Sequence, residues 1–365
     1  MGLQTTYISE LMPKIVTYGR TTLDRENENL CCDWTGSGIE LDFEGDYLSA
    51  ILTAEKGEEI EGMPNDPSAP RRDLWPWVGV FLDDMDQPIR RFPVSGKMET
   101  WLLIRSDAAQ RHRFRIIKLT ENVKTYFGIK AMHYSGTFHP CERKPRKRIE
   151  FIGDSITCGY GDLCPDRDRG FWSDEEDGWN AHGGIAARLL DLEASFVSVS
   201  GITATAFDAF PNPYAMNDIY TWTNRPGQER RGQRAEKWDF AARPSDYIVL
   251  NLGTNDSCAL LFSRDYEGEK DHFIRDYTAF LKEIRRLNGP KPWIICALGS
   301  MNYYLYPEIE RAVETVRRET GDERIRAFRY RPMAPLDGFG AAGHPSLATQ
   351  RKMGQELAEL ICTLA

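Results

Sequence analysis

A serine, a glycine, an asparagine and a histidine, far apart along the chain, have the residue types that acyl transfer requires. Ser155 lies in KRIEFIGDSITCGYG, Gly201 in SVSGITA, Asn255 in VLNLGTND and His344 in GHPS. A serine hydroxyl becomes nucleophilic beside a base, and neutral histidine, with an ordinary pKa of about 6.5, suits that task. Attack on an ester carbonyl places negative charge on an oxygen that needs aimed donors. The backbone amides of Ser155 and Gly201 and the side-chain amide of Asn255 would supply three. Glycine at 201 would let the backbone approach a substrate closely. Each residue also has a plainer use. Asp154 with Ser155, or Asn255 with Asp256, would cap a helix, Gly201 would suit an ordinary turn, and His344 before Pro345 would suit a helix start. Acyl transfer accounts for all four types together, in their order.

These residues share a site only if the elements carrying them end at one place. From Arg148 onward, apolar strand-like runs recur at Ile149–Ile152, Phe196–Ser200, Tyr247–Leu252 and Trp293–Leu298, with a weaker run at Ile325–Tyr330. Helical faces fall between them: Phe273, Tyr277, Phe280, Ile284 and Leu287, then Ile309, Val313 and Val316 behind Pro307. Met353, Leu357, Leu360, Ile361 and Leu364 make a terminal amphipathic helix. The alternation predicts an α/β unit with a mainly parallel sheet covered on both faces. Ser155, Gly201 and Asn255 follow strands, and His344 precedes the last helix. Strands of such a sheet present their carboxyl ends on one edge, which is where these folds bind ligands.

The first part of the chain reads differently. Ile39, Leu41 and Phe43 alternate, as do Val78, Val80 and Leu82, Phe114 and Ile116, and Phe127, Ile129 and Ala131, with turn signals between the runs. Period two predicts a β-sandwich, jelly-roll-like, over residues 1–140. A polar, proline-rich stretch near 56–75 reads as a long loop. The basic run CERKPRKR, residues 141–148, reads as an interdomain linker rather than a nucleic-acid patch, and residues 149–365 form the second domain.

At 365 residues the chain is long enough for two domains, and a formal net charge of −9 disfavours non-specific binding to nucleic acid or an anionic membrane. No apolar stretch is long enough to span a bilayer, and the N-terminus lacks a basic segment followed by an apolar core, so the expected placement is cytoplasmic. Secretion would require a leader preceding this sequence. Eight cysteines lack paired spacing, so zinc and other metals are not expected and the thiols are expected to be reduced. The acidic run Asp174–Asp177 reads as solvated surface. Phe171, Trp172 and Trp179 could stack on sugar rings or pin their loop to the β domain. The segment 203–245 would rim the site or form an oligomer contact. The other five histidines read as structural or surface residues.

The blocks GDSIT, SG, GTND and HP, in this order, resemble those of the SGNH, or GDSL-like, hydrolase superfamily. FIGDSITCGYG, LNLGTNDS and HPSLATQRKMGQELAELI, behind an N-terminal β domain, are most similar to carbohydrate esterase family two. The resemblance covers essentially the whole chain. It implies Ser155 as nucleophile, His344 as base, and Gly201 and Asn255 as oxyanion donors. It further implies removal of O-acetyl groups from polysaccharides such as xylan and glucomannan, without metal or cofactor. The implied partner is an acetylated oligosaccharide or another small acetyl ester, and a homo-oligomer is compatible. A general short-chain acetyl esterase is the alternative substrate reading. A carbohydrate-binding protein with a silent hydrolase domain is the alternative of another class. One departure stands out: superfamily members often place an aspartate two or three residues before the histidine, and here those positions are Ala342 and Ala341. Either Asp337 loops back to the imidazole, or a backbone carbonyl accepts its Nδ1–H in a Ser-His dyad. The dyad is the preferred expectation.

Overall fold

The computed structural model describes residues 2–60, 68, 71–170, 172–207 and 213–364. Phe171 and much of the stretch near 56–75 lie outside these residues. In the first part of the chain, antiparallel strands run in the order Thr22–Asp24, Asn29–Cys31, Tyr126–His139, Gly38–Glu55, Met98–Lys118, Trp77–Leu82 and Arg90–Pro93. Gln4–Tyr7 adds to Tyr126–His139, and Val16–Tyr18 adds to Gly38–Glu55. Two of these strands are long, 18 residues for Gly38–Glu55 and 21 for Met98–Lys118.

The long strands stay over one core because their inward face changes parity. Ile39, Leu41 and Phe43 point inward before Gly45, and Leu48, Ala50 and Leu52 do so after it. Register shifts on both partners, between Arg105 and Gln110 and between Ser135 and Gly136, absorb the change. Gly136 sits there at φ +152°, where an added Cβ would meet the Glu44 carbonyl oxygen at 2.2 Å. No side chain fits that crossing.

The second part is a five-stranded parallel sheet in the order Glu193–Ser198, Arg148–Gly153, Tyr247–Asn251, Trp293–Leu298 and Ile325–Arg329. Tyr247–Asn251 and Trp293–Leu298 read as nearly unbroken apolar runs because helices cover both faces. Ile152, Ile248, Leu250, Ile294 and Cys296 pack with Phe273, Tyr277 and Phe280 of helix Tyr266–Asn288, and with Ile309 and Val313 of helix Tyr306–Thr320. On the other face Ile149, Phe151, Val249, Ile295 and Ala297 pack with Ala186 and Ala187 of helix His182–Leu189, and with Met353, Leu357 and Ile361 of helix Leu347–Cys362. The first strand lies between the second and third. Successive connections therefore leave it in opposite directions, and a crevice opens at its carboxyl end.

Residues 140–147 carry no regular structure and are tied down on both sides. Arg143 donates from Nε to Glu40 at 3.1 Å and faces Glu193 at 3.7 Å. Elsewhere the two domains are joined by buried ionic contacts. Arg20 of the β domain, 1% exposed, reaches Glu150 on the first parallel strand at 3.0 Å, and the Tyr220 hydroxyl donates to the same carboxylate at 2.9 Å. Asp33 takes both terminal nitrogens of Arg231, at 2.8 and 2.9 Å, and the Trp34 indole donates to the Thr223 carbonyl at 2.8 Å. The described part of 203–245 thus contributes heavily to the domain interface, a role neither sequence alternative anticipated. No helix among the described residues is long and apolar enough to cross a membrane.

Candidate active site

The strand Arg148–Gly153 ends at a glycine for a steric reason: a Cβ on Gly153 would lie 2.0 Å from the Thr157 hydroxyl. The chain turns at once into the short helix Ser155–Cys158. Asp154 is its N-cap and accepts from the Ile156 amide at 3.0 Å. Capping is therefore real, and Asp154 performs it, leaving the Ser155 hydroxyl for other contacts. That hydroxyl lies 2.8 Å from His344 Nε2.

His344 is oriented from behind by its own loop. Its Nδ1 lies 3.0 Å from the Ala341 carbonyl oxygen. A carbonyl only accepts, so Nδ1 carries the proton and Nε2 presents its lone pair to Ser155. Asp337 is directed elsewhere: both its carboxylate oxygens are 2.7 Å from Lys352 Nζ. Of the two arrangements open at the sequence level, the structure has the backbone carbonyl. The loop is held in place by hydrogen bonds from the backbone amides of Ala341 to the Gly161 carbonyl (3.0 Å), Ala342 to the Arg169 carbonyl (2.8 Å) and Gly343 to the Arg167 carbonyl (3.0 Å). Ala342 adopts a left-handed conformation, φ +49°, uncommon for a residue with a Cβ. Ser346, two residues after His344, caps the last helix through the Thr349 amide. The Tyr160 ring lies over the imidazole, centroids 4.3 Å apart. Burial is the main cause that brings the His344 pKa down to about 4; the Lys124 charge lowers it further and the Ala341 hydrogen bond works against both. The imidazole is neutral at pH 7.

Gly201 and Asn255 come to the same edge. After the strand Glu193–Ser198 the chain turns at Ser200 and Gly201, with Gly201 at φ +78° and open space where a Cβ would stand. Glycine meets a conformational need there and leaves that side uncovered. Asn255 sits in the first turn of helix Thr254–Leu260. Its Nδ2 donates to the Ile202 carbonyl at 3.0 Å and faces Asp154 Oδ2 at 3.5 Å, which ties the three strand ends together. Asp256 does not cap its helix. It is fully buried and accepts from the Ala204 amide at 2.9 and 3.0 Å, anchoring the segment just after Gly201. Burial pushes both Asp154 and Asp256 up to about 7.

The flanking loop corrects one expectation and decides another. Glu176 and Asp177, within the acidic run read as solvated surface, are 1% and 5% exposed. Glu176 accepts the Glu121 amide at 3.1 Å and Asp177 accepts from Asn180 at 2.9 Å; these are structural carboxyls of the loop interior. Trp179 pins the loop to the β domain, its ring 4.6 Å from that of Phe81 and its indole donating to the Asp86 carbonyl at 2.7 Å. Trp172 lies between the guanidinium groups of Arg72 and Arg169, at 4.4 and 3.5 Å. Glu121, Cys158 and Glu176 have atoms within 4.8 Å of one another, as metal ligands would. Lys124 already supplies a counter-cation 2.8 Å from Glu121. A cleft of about 730 Å³ between Arg115, Arg143, Trp179 and Arg188 includes none of Ser155, Gly201, Asn255 or His344.

The signature of the GDSL-like lipase/acylhydrolase family matches residues 151–352, more than half of the chain, and the chain belongs to that family. The cellulase/esterase CelE of Acetivibrio thermocellus is 28% identical over 351 residues, 94% of this chain. The chain spans only 39% of the length of that relative. An acetylxylan esterase / glucomannan deacetylase of Cellvibrio japonicus is 24% identical over 353 residues, covering 94% of this chain and 87% of the relative. Among solved structures, a family two carbohydrate esterase from Clostridium thermocellum in complex with cellohexaose aligns with a TM-score of 0.79 at 26% identity, over 96% of this chain and 98% of that one. An acetyl xylan esterase from Butyrivibrio proteoclasticus shares the two-domain fold, with a TM-score of 0.84 at 21% identity over 100% and 99% of the two chains.

Proposed function

We propose that the protein is a serine esterase that removes O-acetyl groups from acetylated carbohydrates through an acyl-enzyme. The observation that carries this is the relay from Ser155 Oγ to His344 Nε2 at 2.8 Å, with Nδ1 fixed on the Ala341 carbonyl at 3.0 Å. The neutral imidazole takes the Ser155 proton as Oγ attacks the acetyl carbonyl, and the oxygen charge that develops is met by the Ser155 and Gly201 amides and by Asn255. The tetrahedral intermediate collapses as the imidazolium returns its proton to the departing sugar oxygen, leaving acetyl-Ser155. Water, deprotonated by the same nitrogen, releases acetate and restores the serine. Among the described residues a backbone carbonyl rather than a carboxylate stands at Nδ1, so the Ala341 dipole helps offset the charge the imidazole gains.

The carbohydrate part of the reading is supported by similarity to an acetylxylan esterase / glucomannan deacetylase and to a carbohydrate esterase bound to cellohexaose. The experiment that tests it follows acetylated xylo-oligosaccharides and gluco-oligosaccharides by NMR, beside p-nitrophenyl acetate and butyrate. Loss of sugar acetyl signals at a kcat/KM well above that for p-nitrophenyl acetate is expected. Indifference to the sugar, with butyrate cleaved as readily as acetate, would leave a general short-chain esterase instead.

A further inference from the structure

After the long strand Met98–Lys118 the β domain makes a polar turn, KLTENVKT, residues 118–125, that is buried against the catalytic domain rather than exposed to water. Lys118, fully buried, donates to three carbonyls that shape the turn: Asp33 at 2.7 Å, Glu121 at 2.6 Å and Thr125 at 2.7 Å. Val123 is held at φ +75°, a strained conformation for a β-branched residue, with its amide on the Asn122 side chain at 2.8 Å. The result is that Glu121, 1% exposed, projects out of the β domain and into the other domain. One of its oxygens accepts the Ser200 amide at 2.6 Å, and the other faces Lys124 Nζ at 2.8 Å.

Resting on the acyl-transfer reading above, we infer that Glu121 is a positioning residue of the reaction: a carboxylate delivered by the β domain that fixes the Ser200–Gly201 turn and so aims the Gly201 amide at the oxyanion. Fixing the Ser200 nitrogen sets the direction of the next peptide, whose N–H belongs to Gly201. Three neighbouring contacts of the turn are between neutral groups. Val199 donates to the Gly153 carbonyl at 3.2 Å, Ile202 to Val199 at 3.3 Å, and Asn255 to Ile202 at 3.0 Å. The Glu121 contact is the short, charge-assisted one. Buried ion pairs add little net stability, since desolvation offsets their attraction. Strain at Val123, the buried charge of Lys118 and a buried glutamate therefore have a purpose in positioning that they lack as stabilisers. The same turn reaches the base: Lys124 Nζ lies 4.9 Å from the centroid of the Tyr160 ring that covers His344. Glu176 completes the cluster, its carboxyl pushed well above the carboxylate range first by burial and then by the adjacent Glu121.

The test compares Glu121→Gln and Glu121→Ala with the wild type in steady-state hydrolysis of p-nitrophenyl acetate. An oxyanion donor acts in the transition state, so kcat should fall while KM stays within about twofold. Glutamine keeps a neutral acceptor for the Ser200 amide and should lose only about fivefold, whereas alanine should lose on the order of 10²-fold. If the alanine variant does not fold, the glutamine variant decides by the same split. Values of kcat within twofold of wild type, or a change confined to KM, would overturn the assignment. Ser155→Ala is run alongside. Activity surviving there would remove the acyl-transfer reading itself, while an inactive Ser155→Ala with a wild-type-like Glu121→Gln would remove only the role of Glu121.

Discussion

Replacing Asp337 by alanine separates the dyad from a triad by orders of magnitude. The Asp337 carboxylate is committed to Lys352, 2.7 Å from each oxygen, and the lysine is 59% exposed. A pair of that exposure contributes about 0–1 kcal/mol to folding, so the variant should melt within a few degrees of the wild type. The imidazole keeps its Ala341 carbonyl whatever stands at 337, so kcat/KM should stay within about threefold, a change of under about 1 kcal/mol in the barrier. Where a carboxylate does hold the catalytic histidine, disabling it costs about 10⁴-fold, or about 5.4 kcal/mol. Initial rates on p-nitrophenyl acetate, with a melting curve to show the fold intact, read this difference easily. A well-folded Asp337→Ala that has lost 10³-fold or more would refute the assignment of Ala341 as the orienting group.

Four further outcomes follow from the structure. The base must be neutral to accept the Ser155 proton, and His344 is lowered to about 4, so kcat/KM should be level from pH 7 down to about 5 and fall below that; an acidic limb centred near the ordinary histidine value would show that burial does not control this group. The depressed pKa values of His344 and His182, both about 4, imply stability that is full above about 6.5 and is lost as pH falls toward 4, which acid titration of unfolding would reveal. Asn255→Ala should lower kcat by about 10²–10³ with little change in KM, and a loss under tenfold would mean another donor serves. Arg20→Ala leaves Glu150 buried without its partner and should cost about 3–5 kcal/mol in denaturant unfolding; a cost below 1 kcal/mol would show the interface charge to be solvated.

The parts legible in the sequence are those whose cause is local. Buried parallel strands are apolar on both faces, so Tyr247–Asn251 and Trp293–Leu298 stand out as unbroken runs, and the helix faces follow from spacing. The short blocks around Ser155, Gly201, Asn255 and His344 are legible because each marks a turn that follows a strand or precedes a helix, a feature set by neighbouring residues. What escaped is set by pairing across the chain. Glu121 is separated from its partner Ser200 by 79 residues, and KLTENVKT has the composition of an exposed turn. Glu176 and Asp177 have an acidic surface composition too, yet they are enclosed because the loop folds back onto the β domain, where Arg91 donates to the Glu176 carbonyl at 2.9 Å. Asp256 follows Asn255 in a capping position, and only the folded chain shows that its carboxylate holds Ala204 instead. The carbonyl behind His344 has no side-chain signature at all.

The most direct test of catalysis by Ser155 is the rate at which Ser155→Ala releases acetate from an acetylated xylo-oligosaccharide, followed by NMR against the wild type. Loss of the nucleophile from a Ser-His-Asp triad lowers kcat by about 10⁶-fold in a well-studied serine hydrolase, so Ser155→Ala should deacetylate slower than the wild type by a factor on the order of 10⁵–10⁶. Folded Ser155→Ala that still deacetylates the substrate within tenfold of the wild-type rate would contradict the account.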